Sequence, residues 1–308
     1  MKKIRKCMSL MSKKKLSVVI GNHTIELSSF DKVLFPKSGI TKGDVVVYYQ
    51  KIAPFFLAHA RDHLMVMHRF PDGIDAPGFY QKEVSDYFPP WIARKKIILK
   101  DGTAQSLVVL DSTAALVYLA NQAVLVFHSW LSTQKATQKP DKIVFDVDPS
   151  GNSLAELRFA VRTLKKVIEG YGLQPFLMAT GSRSYHVVVP IRPQYTYAQT
   201  RAFAKRICSD LVDAYPERFT IALSKAQRKG RIFLDYLRNA ARATSVACYS
   251  LRALEGASIA TPLSWDELTR TKPQQYTIKN IFKRLARKKD PWHDFAQRAT
   301  LLPLPKCE

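Results

Sequence analysis

One segment, Lys142–Pro149, constrains the fold of this chain more than any other. Its sequence KIVFDVDP holds four apolar residues and lies between Pro140 and a Pro-Ser-Gly turn, a pattern typical of a buried strand. Alternate side chains of a strand share one face, so Asp146 and Asp148 point the same way, about 6.5–7 Å apart at Cβ. Burying two carboxylates at the end of such a strand costs free energy unless they are protonated, hydrogen-bonded or bound to a cation. We therefore predict a divalent metal site that meets a phosphorylated substrate.

The charge of the chain favours a polyanionic partner. Its 308 residues include 48 Lys and Arg against 25 Asp and Glu, a formal net charge of +23. Two alternatives are that the basic surface binds a membrane, or that the protein is simply basic and soluble and has no such partner. No stretch approaches the ~20 uninterrupted apolar residues of a spanning helix, so we expect no membrane partner. The basic sequence of residues 1–15 predicts a flexible tail. The four cysteines include no CxxC pair, which indicates a reducing cytoplasm and argues against a zinc site.

A metal site of this kind needs a further acidic ligand, and Asp235 is the candidate. It ends the short apolar run Ile232-Phe233-Leu234. Asp235 could instead cap a turn or pair with Arg231 or Arg238. The local pattern leaves the metal role and this structural role equally open.

The turn at 181–184, GSRS, is a candidate phosphate site. Successive N–H groups at such a turn can cradle a phosphate, and the Arg183 guanidinium adds donors. His186 opens the next predicted strand. It could contact a triphosphate, but a lone strand histidine is more often buried and bonded to neighbouring backbone, and we favour that interpretation from the local pattern.

Two further groups of residues fit nucleic-acid chemistry. Lys32 and Lys42 lie on either side of the predicted helix start at Thr41, where an anion could bind. Phe79 and Tyr80 precede a lysine, which suits base stacking, although two aromatics in a strand are more often core. Basic residues also flank Asp235, where a phosphate clamp competes with an ordinary solvated face.

Local signals place several elements. Residues 16–27 predict a hairpin, and residues 245–250 predict a strand. Helix N-termini are predicted where Ser or Thr precedes an acidic or amide residue by three positions. These pairs are Thr41 and Asp44, Ser153 and Glu156, and Thr196 and Gln199.

Taken in order, the motifs resemble the polymerase domain of bacterial ligase D, a member of the archaeo-eukaryotic primase superfamily. The resemblance runs from about Leu16 to Leu304. The segments that carry it are DKVLFP (31–36), TKGD (41–44), RFPDG (69–73), FYQK (79–82), PPW (89–91), VFDVDPS (144–150), TGSRSYHVVVP (180–190), IFLDYLRN (232–239), YSLRA (249–253) and ATPLSWDEL (260–268).

The resemblance implies an α+β fold with mixed and antiparallel central sheets flanked by helices, around an RRM-like catalytic core. It implies one primase-polymerase domain over residues 16–308, after the tail of residues 1–15. Within the domain we expect an N-terminal portion at about 16–131, a catalytic core at about 140–255 and C-terminal helices at about 264–304.

The implied activity is a template-directed nucleotidyltransferase that fills gaps and extends ends in non-homologous end joining. Relatives readily insert ribonucleotides and prefer Mn²⁺, with Mg²⁺ as the alternative metal. The implied partners are double-stranded DNA ends and gaps with a 5′-phosphate, NTPs or dNTPs, and also Ku and a DNA ligase. The implied location is the bacterial cytoplasm, at the nucleoid.

The resemblance also implies roles for individual residues. The residues implied to be catalytic and to hold the metal are Asp146, Asp148 and Asp235. Those implied to bind the nucleotide are Ser182, Arg183, His186, His128 and Arg252. Those implied to bind DNA are Lys32 and Lys42, at the 5′-phosphate of the downstream strand, and Phe79 and Tyr80, at template bases.

The sequence departs from the family pattern at a few positions. Ser29 replaces a frequent asparagine of the 5′-phosphate pocket, and Cys248 replaces a usual proline. Ser184 replaces a usual glycine and would be strained if the backbone there needed positive φ. Every implied carboxylate is present, so we expect an active site. The alternatives are a primase that starts chains without a primer, a non-catalytic module that binds DNA ends, and, more weakly, a nuclease.

Overall fold

The computed structural model describes residues 16–99, 101–151 and 153–304. Its strands are β1 Ser17–Ile20, β2 His23–Glu26, β3 Val33–Phe35, β4 Ile40–Thr41, β5 His63–Arg69, β6 Phe79–Gln81, β7 Arg94–Ile98, β8 Ala104–Val109, β9 Val124–Thr133, β10 Lys142–Asp148, β11 Phe176–Ala179, β12 Tyr185–Pro190, β13 Phe219–Thr220, β14 Ile232–Asp235, β15 Thr244–Val246 and β16 Thr261–Leu263. Its α-helices are α1 Lys42–Ala60, α2 Thr113–Asn121, α3 Leu154–Gly170, α4 Tyr197–Ala214, α5 Lys225–Arg228 and α6 Ile281–Leu285.

The predicted acidic strand, β10, lies inside a six-stranded sheet of order β13-β14-β10-β12-β11-β16. We call it the acidic sheet; its pairs are antiparallel except for β13 with β14. Ile143, Phe145 and Val147 are fully buried in one core with the inward faces of α3 and α4. The intervening residues of β10 point to the opposite face, which confirms the predicted alternation.

A second sheet, of order β15-β9-β5-β8-β7 with β6 paired to β5, packs against α1 and α2. Its core also contains Val144, Met178 and Val188, which come from the other face of the acidic sheet. Asp146 and Asp148 therefore lie on the side of the acidic sheet that faces the second sheet. These layers confirm the expected α+β class with antiparallel sheets and flanking helices.

The predicted helix starts are confirmed. Thr41, Ser153 and Thr196 each accept a hydrogen bond from the backbone N–H three residues on, and the side chain at that position bonds back to the cap. Such reciprocal bonds satisfy N–H groups that a helix cannot satisfy internally. The predicted first hairpin is also present, as β1 and β2.

Two predictions were wrong in extent. The strand predicted over residues 245–250 ends at Val246, because residues 247–250 form a turn: the Ser250 N–H donates to the Ala247 carbonyl at 3.0 Å and Tyr249 takes a left-handed φ of 63°. The region of about 264–304 holds only α6 and two 3₁₀ turns, Trp265–Thr269 and Ala296–Arg298. Pro273 and Pro291 interrupt this region and cannot continue a helix.

Two expectations are not tested by the structure. The tail of residues 1–15 lies outside the described residues, and the division into three portions stays a prediction. Within the described part of the chain, no helix combines the length and the apolar character that a membrane crossing requires.

Candidate active site

Strand register brings the three candidate carboxylates together. β14 pairs with β10 so that Asp235 lies opposite Asp146, and β12 places His186 opposite Asp146 on the other side. Directly opposed residues in an antiparallel pair have Cβ atoms about 4.5–5.5 Å apart. Asp148 follows two residues later on the same face. The order across the sheet is therefore Asp235, Asp146, His186.

Arg238 lies between two of the carboxylates. Its guanidinium is 3.4 Å from Asp146 Oδ2 and 3.4 Å from Asp235 Oδ2. Asp235 Oδ1 also accepts a 2.8 Å bond from the Leu237 N–H. The turn-capping and ion-pair contacts considered for Asp235 are thus both present, and they hold it beside Asp146.

Asn239 fixes the position of Arg238. Its amide oxygen accepts from the Val144 N–H and its amide nitrogen donates to the Val144 carbonyl, both at 2.8 Å. This pair of bonds fastens the chain after β14 to β10. Asn239 was not among the predicted site residues, because only the fold brings it to Val144, 95 residues away.

His186 and Ser184 surround Asp146 from the β12 side. His186 Nε2 is 3.4 Å from Asp146 Oδ2, and its Nδ1 is 3.2 Å from the Ser245 hydroxyl. Both ring nitrogens face side chains, so the favoured interpretation of a backbone-bonded histidine is wrong. The Ser184 hydroxyl donates to Asp146 Oδ1 at 3.0 Å.

The pKa values of the three carboxyl groups shift in different directions. Burial raises the pKa of Asp148, Asp146 raises it further, and Arg183, 3.5 Å away, opposes the change. Burial also raises the pKa of Asp235 against the opposing charge of Arg238. For Asp146, burial acts to raise the pKa, but His186, Arg238 and Ser184 together bring it below its usual value. Additional positive charge would favour the ionised form of all three.

At the turn between β11 and β12, other parts of the chain come very close to the backbone. Gly181 has φ of 69°, and a Cβ there would lie 2.7 Å from the Ile259 carbonyl carbon and 2.8 Å from Arg252 Cγ. Only glycine fits that position. The glycine therefore brings the Arg252 side chain against the turn, beside Ser182 and Arg183. Ser184 has no positive φ, so the strain considered for that serine is absent.

An aromatic group lies next to this turn. Phe79 and Tyr80 on β6 are 46% and 58% exposed, so the interpretation of both as core residues is wrong. Tyr80 stacks on His68, with ring centroids 4.0 Å apart, and lies 5.7 Å from the His128 ring. His68 was not among the predicted site residues; its place on β5, one residue before the RFPDG motif, is the only signal that the sequence offers for it.

Lys32 and Lys42 lie together at the start of α1. Lys42 is 6% exposed and donates to the Ser28 hydroxyl and to the Asn121 carbonyl. Burial lowers the pKa of Lys42, and the charge of Lys32 lowers it further. Lys32 forms an exposed 2.7 Å ion pair with Asp72. Neighbouring Ser29 has φ of 47°, a conformation that asparagine tolerates better than serine.

The acidic cluster suits a hard divalent cation in its chemistry, since three carboxylates supply the oxygen ligands that Mg²⁺ and Mn²⁺ prefer. Among the described residues, however, no three His, Cys, Asp or Glu side chains are arranged to hold a metal ion as they stand. Arg183, Arg238 and His186 contact the carboxylate oxygens instead. The Arg238 side chain is 45% exposed, but those of Asp146 and Asp235 are only 7% and 15% exposed. A bound cation would therefore have to supply the positive charge that the guanidinium now gives these carboxylates.

Two packed sheets, with paired acids at a strand end and a glycine turn backed by arginine, define a primase-polymerase domain. The chain belongs to the family of the LigD primase-polymerase domain, whose model matches residues 41–292.

Named relatives agree with this assignment. The multifunctional non-homologous end joining DNA repair protein LigD of Mycobacterium tuberculosis is 30% identical over 275 residues, 86% of this chain and 36% of that protein. The bifunctional non-homologous end joining protein LigD of Bacillus subtilis is 29% identical over 91% of this chain and 45% of its own length. The chain thus spans between about a third and a half of these relatives.

A solved structure shares the fold. The polymerase domain from Mycobacterium tuberculosis ligase D, in complex with DNA, superposes with a TM-score of 0.83 and 28% identity. The match covers 89% of this chain and 99% of that domain. The resemblance predicted from the motifs is therefore confirmed.

Proposed function

We propose that this protein is a template-directed nucleotidyltransferase that fills gaps and extends ends during non-homologous end joining. The observation that carries the proposal is the register of Asp235, Asp146 and His186 across the acidic sheet, beside the turn of residues 181–184. Family membership and the likeness to a DNA-bound polymerase domain support it.

In this mechanism the side chains around the turn bind the incoming NTP or dNTP. Arg252, Arg183 and His186 neutralise its phosphates, and Ser182 offers its hydroxyl, while the Ser182 N–H donates to the Thr180 hydroxyl at 3.3 Å. Tyr80 and Phe79 present exposed rings to template bases. Pairing with the template then selects the nucleotide, because phosphate contacts carry no sequence information.

Asp146, Asp148 and Asp235 would hold divalent ions, with Mn²⁺ proposed over Mg²⁺. When bound, such ions activate the primer 3′-OH and offset charge on the triphosphate and the leaving group. For the carboxylates to serve as ligands, Arg238 has to move off Asp146 and Asp235. The freed guanidinium then becomes a donor for a phosphate.

The test is primer extension on a gapped duplex with Mn²⁺ and either NTPs or dNTPs. We expect the wild type to extend the primer and to accept ribonucleotides. Asp146→Ala with Asp148→Ala should abolish extension while the thermal unfolding temperature shows that the protein still folds. Full activity in that double variant would refute the metal assignment.

The same assay tests the proposed 5′-phosphate pocket. Removing the phosphate from the downstream strand should weaken extension by wild type, because Lys32 and Lys42 lose their ligand. Lys42→Met should remove the difference in extension between the phosphorylated and the unphosphorylated gap. Its effect on extension of the unphosphorylated gap should be smaller. Equal extension with and without the phosphate would eliminate the pocket.

Two rival functions give different results. A primase would make product on a bare single-stranded template. A non-catalytic end-binding module would bind 5′-phosphorylated ends and extend nothing with any metal; the complete carboxylate set disfavours it. Cooperation with Ku and a DNA ligase, at the nucleoid in the cytoplasm, is part of the proposal; the names of the longer relatives support the end-joining role alone.

A further inference from the structure

Ser245 and His186 meet where the two large sheets face each other. Ser245 belongs to β15, at the edge of the second sheet, whereas His186 belongs to β12 of the acidic sheet. The Ser245 hydroxyl is 3.2 Å from His186 Nδ1, and the two residues are only 7% and 4% exposed. This contact therefore joins the second sheet to the acidic cluster through buried side chains. None of the roles assigned so far includes Ser245.

The partners of the His186 ring decide which of its two nitrogens carries the proton. Nε2 faces Asp146 Oδ2 at 3.4 Å, and an ionised carboxylate can only accept a hydrogen bond. The pKa of Asp146 lies below its usual value, chiefly because the nearby His186 and Arg238 oppose the effect of burial, so this carboxylate is ionised at neutral pH. Nε2 is then the protonated nitrogen, and Nδ1 of a neutral ring is an acceptor. The Ser245 hydroxyl, which can donate, is the matching partner for Nδ1.

Asp146 by itself holds the ring only weakly. Its contact with Nε2 is longer than the range of about 2.7–3.2 Å for a good N–H···O bond, and the same oxygen lies 3.4 Å from Arg238. A half turn of the ring about its bond to Cβ would put carbon atoms in place of both nitrogens. The bond from Ser245 opposes that orientation, because a ring carbon accepts nothing from the buried hydroxyl.

We propose that Ser245 is a positioning residue, whose hydroxyl donates to His186 Nδ1 and so keeps the Nε2–H directed at Asp146 and the triphosphate. This role rests on the proposed polymerase function, in which His186 contacts a phosphate of the incoming nucleotide. A donor whose direction is fixed before the nucleotide arrives needs no reorganisation during the reaction. The second sheet thus contributes to the chemistry of the acidic sheet.

Two variants of Ser245 separate the hydroxyl from the shape of the side chain. Threonine keeps the hydroxyl, valine replaces it with a methyl group of similar size, and both residues suit a strand. Ser245 lines a space between the sheets of about 440 Å³, its open mouth included, which has room for one added methyl group. Ser245→Thr is therefore the matched control for Ser245→Val.

The first measurement is NMR of the ring nitrogens in the apoprotein, labelled at histidine and studied at neutral pH. The nitrogen chemical shift separates a protonated from an unprotonated ring nitrogen, and His186→Gln identifies the signals by their loss. We expect wild type and Ser245→Thr to carry the proton on Nε2 and none on Nδ1. Ser245→Val should show a mixture of ring states, because Nδ1 has lost its donor.

The second measurement is single-turnover extension of a gapped duplex. Ser245→Val should slow extension by up to about tenfold, as expected for the loss of one hydrogen bond, whereas Ser245→Thr should extend at close to the wild-type rate. In the His186→Gln background, Ser245→Val should slow extension no further, because its effect acts through His186. Ser245→Ala, which adds no bulk, takes the place of Ser245→Val if thermal unfolding shows that the valine variant folds poorly.

The outcomes separate this role from the polymerase function. A wild-type ring with its proton on Nδ1, or with both nitrogens protonated, overturns the role of Ser245. Equal extension by Ser245→Val and Ser245→Thr, with wild-type thermal stability, also overturns it. If no variant and no wild type extends a primer, the polymerase function fails, while a ring state lost in Ser245→Val and kept in Ser245→Thr still supports the bond from Ser245 to His186.

Discussion

Asp146 is the residue on which the site depends most, because partners from several segments converge on it. Ser184 and His186 contact it from the β12 side, and Arg238 contacts it from beyond β14. The sequence predicts that Asp146 is buried and shares a face with Asp148. It does not predict Arg238 as a partner of two carboxylates, since that contact depends on the register of β14 with β10.

His128 gives the clearest pH dependence at the residue scale. Burial, together with the positive charge of Arg252, lowers its pKa from 6.5 to about 3. Between these values the unfolded chain binds a proton that the folded protein does not, so folding stability falls as the pH falls. The expected contribution is about 1.4 kcal/mol per pH unit within that window.

His128→Asn should remove this contribution. Urea unfolding of the apoprotein at several pH values from 7 to 4 measures it, and the variant should lose stability less steeply than wild type. His293→Asn, at an exposed histidine, is the control and should keep the wild-type slope. Parallel slopes for wild type and His128→Asn would contradict the prediction.

At the scale of elements, short-range rules predict helix starts well. A cap depends on residues three positions apart, so the sequence contains all the information. The strand predicted over residues 245–250 fails for the opposite reason. Tyr249 is fully buried; its carbonyl accepts a 2.6 Å bond from the Tyr48 hydroxyl, 201 positions away, and its N–H donates to the Ala260 carbonyl at 2.6 Å. Tertiary contacts decide that conformation.

The cap of α1 is directly testable. The Thr41 hydroxyl accepts from the Asp44 N–H, and the Asp44 carboxylate accepts from the Thr41 N–H. Thr41→Ala should lower the free energy of unfolding by about 1 kcal/mol, the usual cost of losing a cap. Gln50→Ala, at an exposed position inside α1, is the matched control and should change little. Equal urea midpoints for the two variants would show that the cap adds nothing.

At the scale of the whole molecule, the net charge of +23 predicts DNA binding that weakens with salt. The logarithm of the binding constant should fall linearly with the logarithm of salt concentration, by about 0.9 per phosphate contact. Fluorescence anisotropy on a 5′-phosphorylated gapped duplex measures this slope.

Single charge removals test which surface contacts the DNA. Lys32→Gln should make the slope shallower by about one, because one phosphate contact is lost. Lys165→Gln is the control, since Lys165 lies on α3, behind the acidic sheet, and pairs with Glu169. Equal slopes for Lys32→Gln and wild type would place the DNA on another surface.

The pairing of β10 with β12 and β14 has a consequence for how the protein folds. Residues 146, 186 and 235 become neighbours only through antiparallel pairing over some 40 to 90 positions of chain. Contacts of such long sequence separation form slowly, because loop closure has to precede them. We therefore expect the acidic cluster to assemble late in folding. The repulsion among its carboxylates then arises only when the surrounding sheet has already formed.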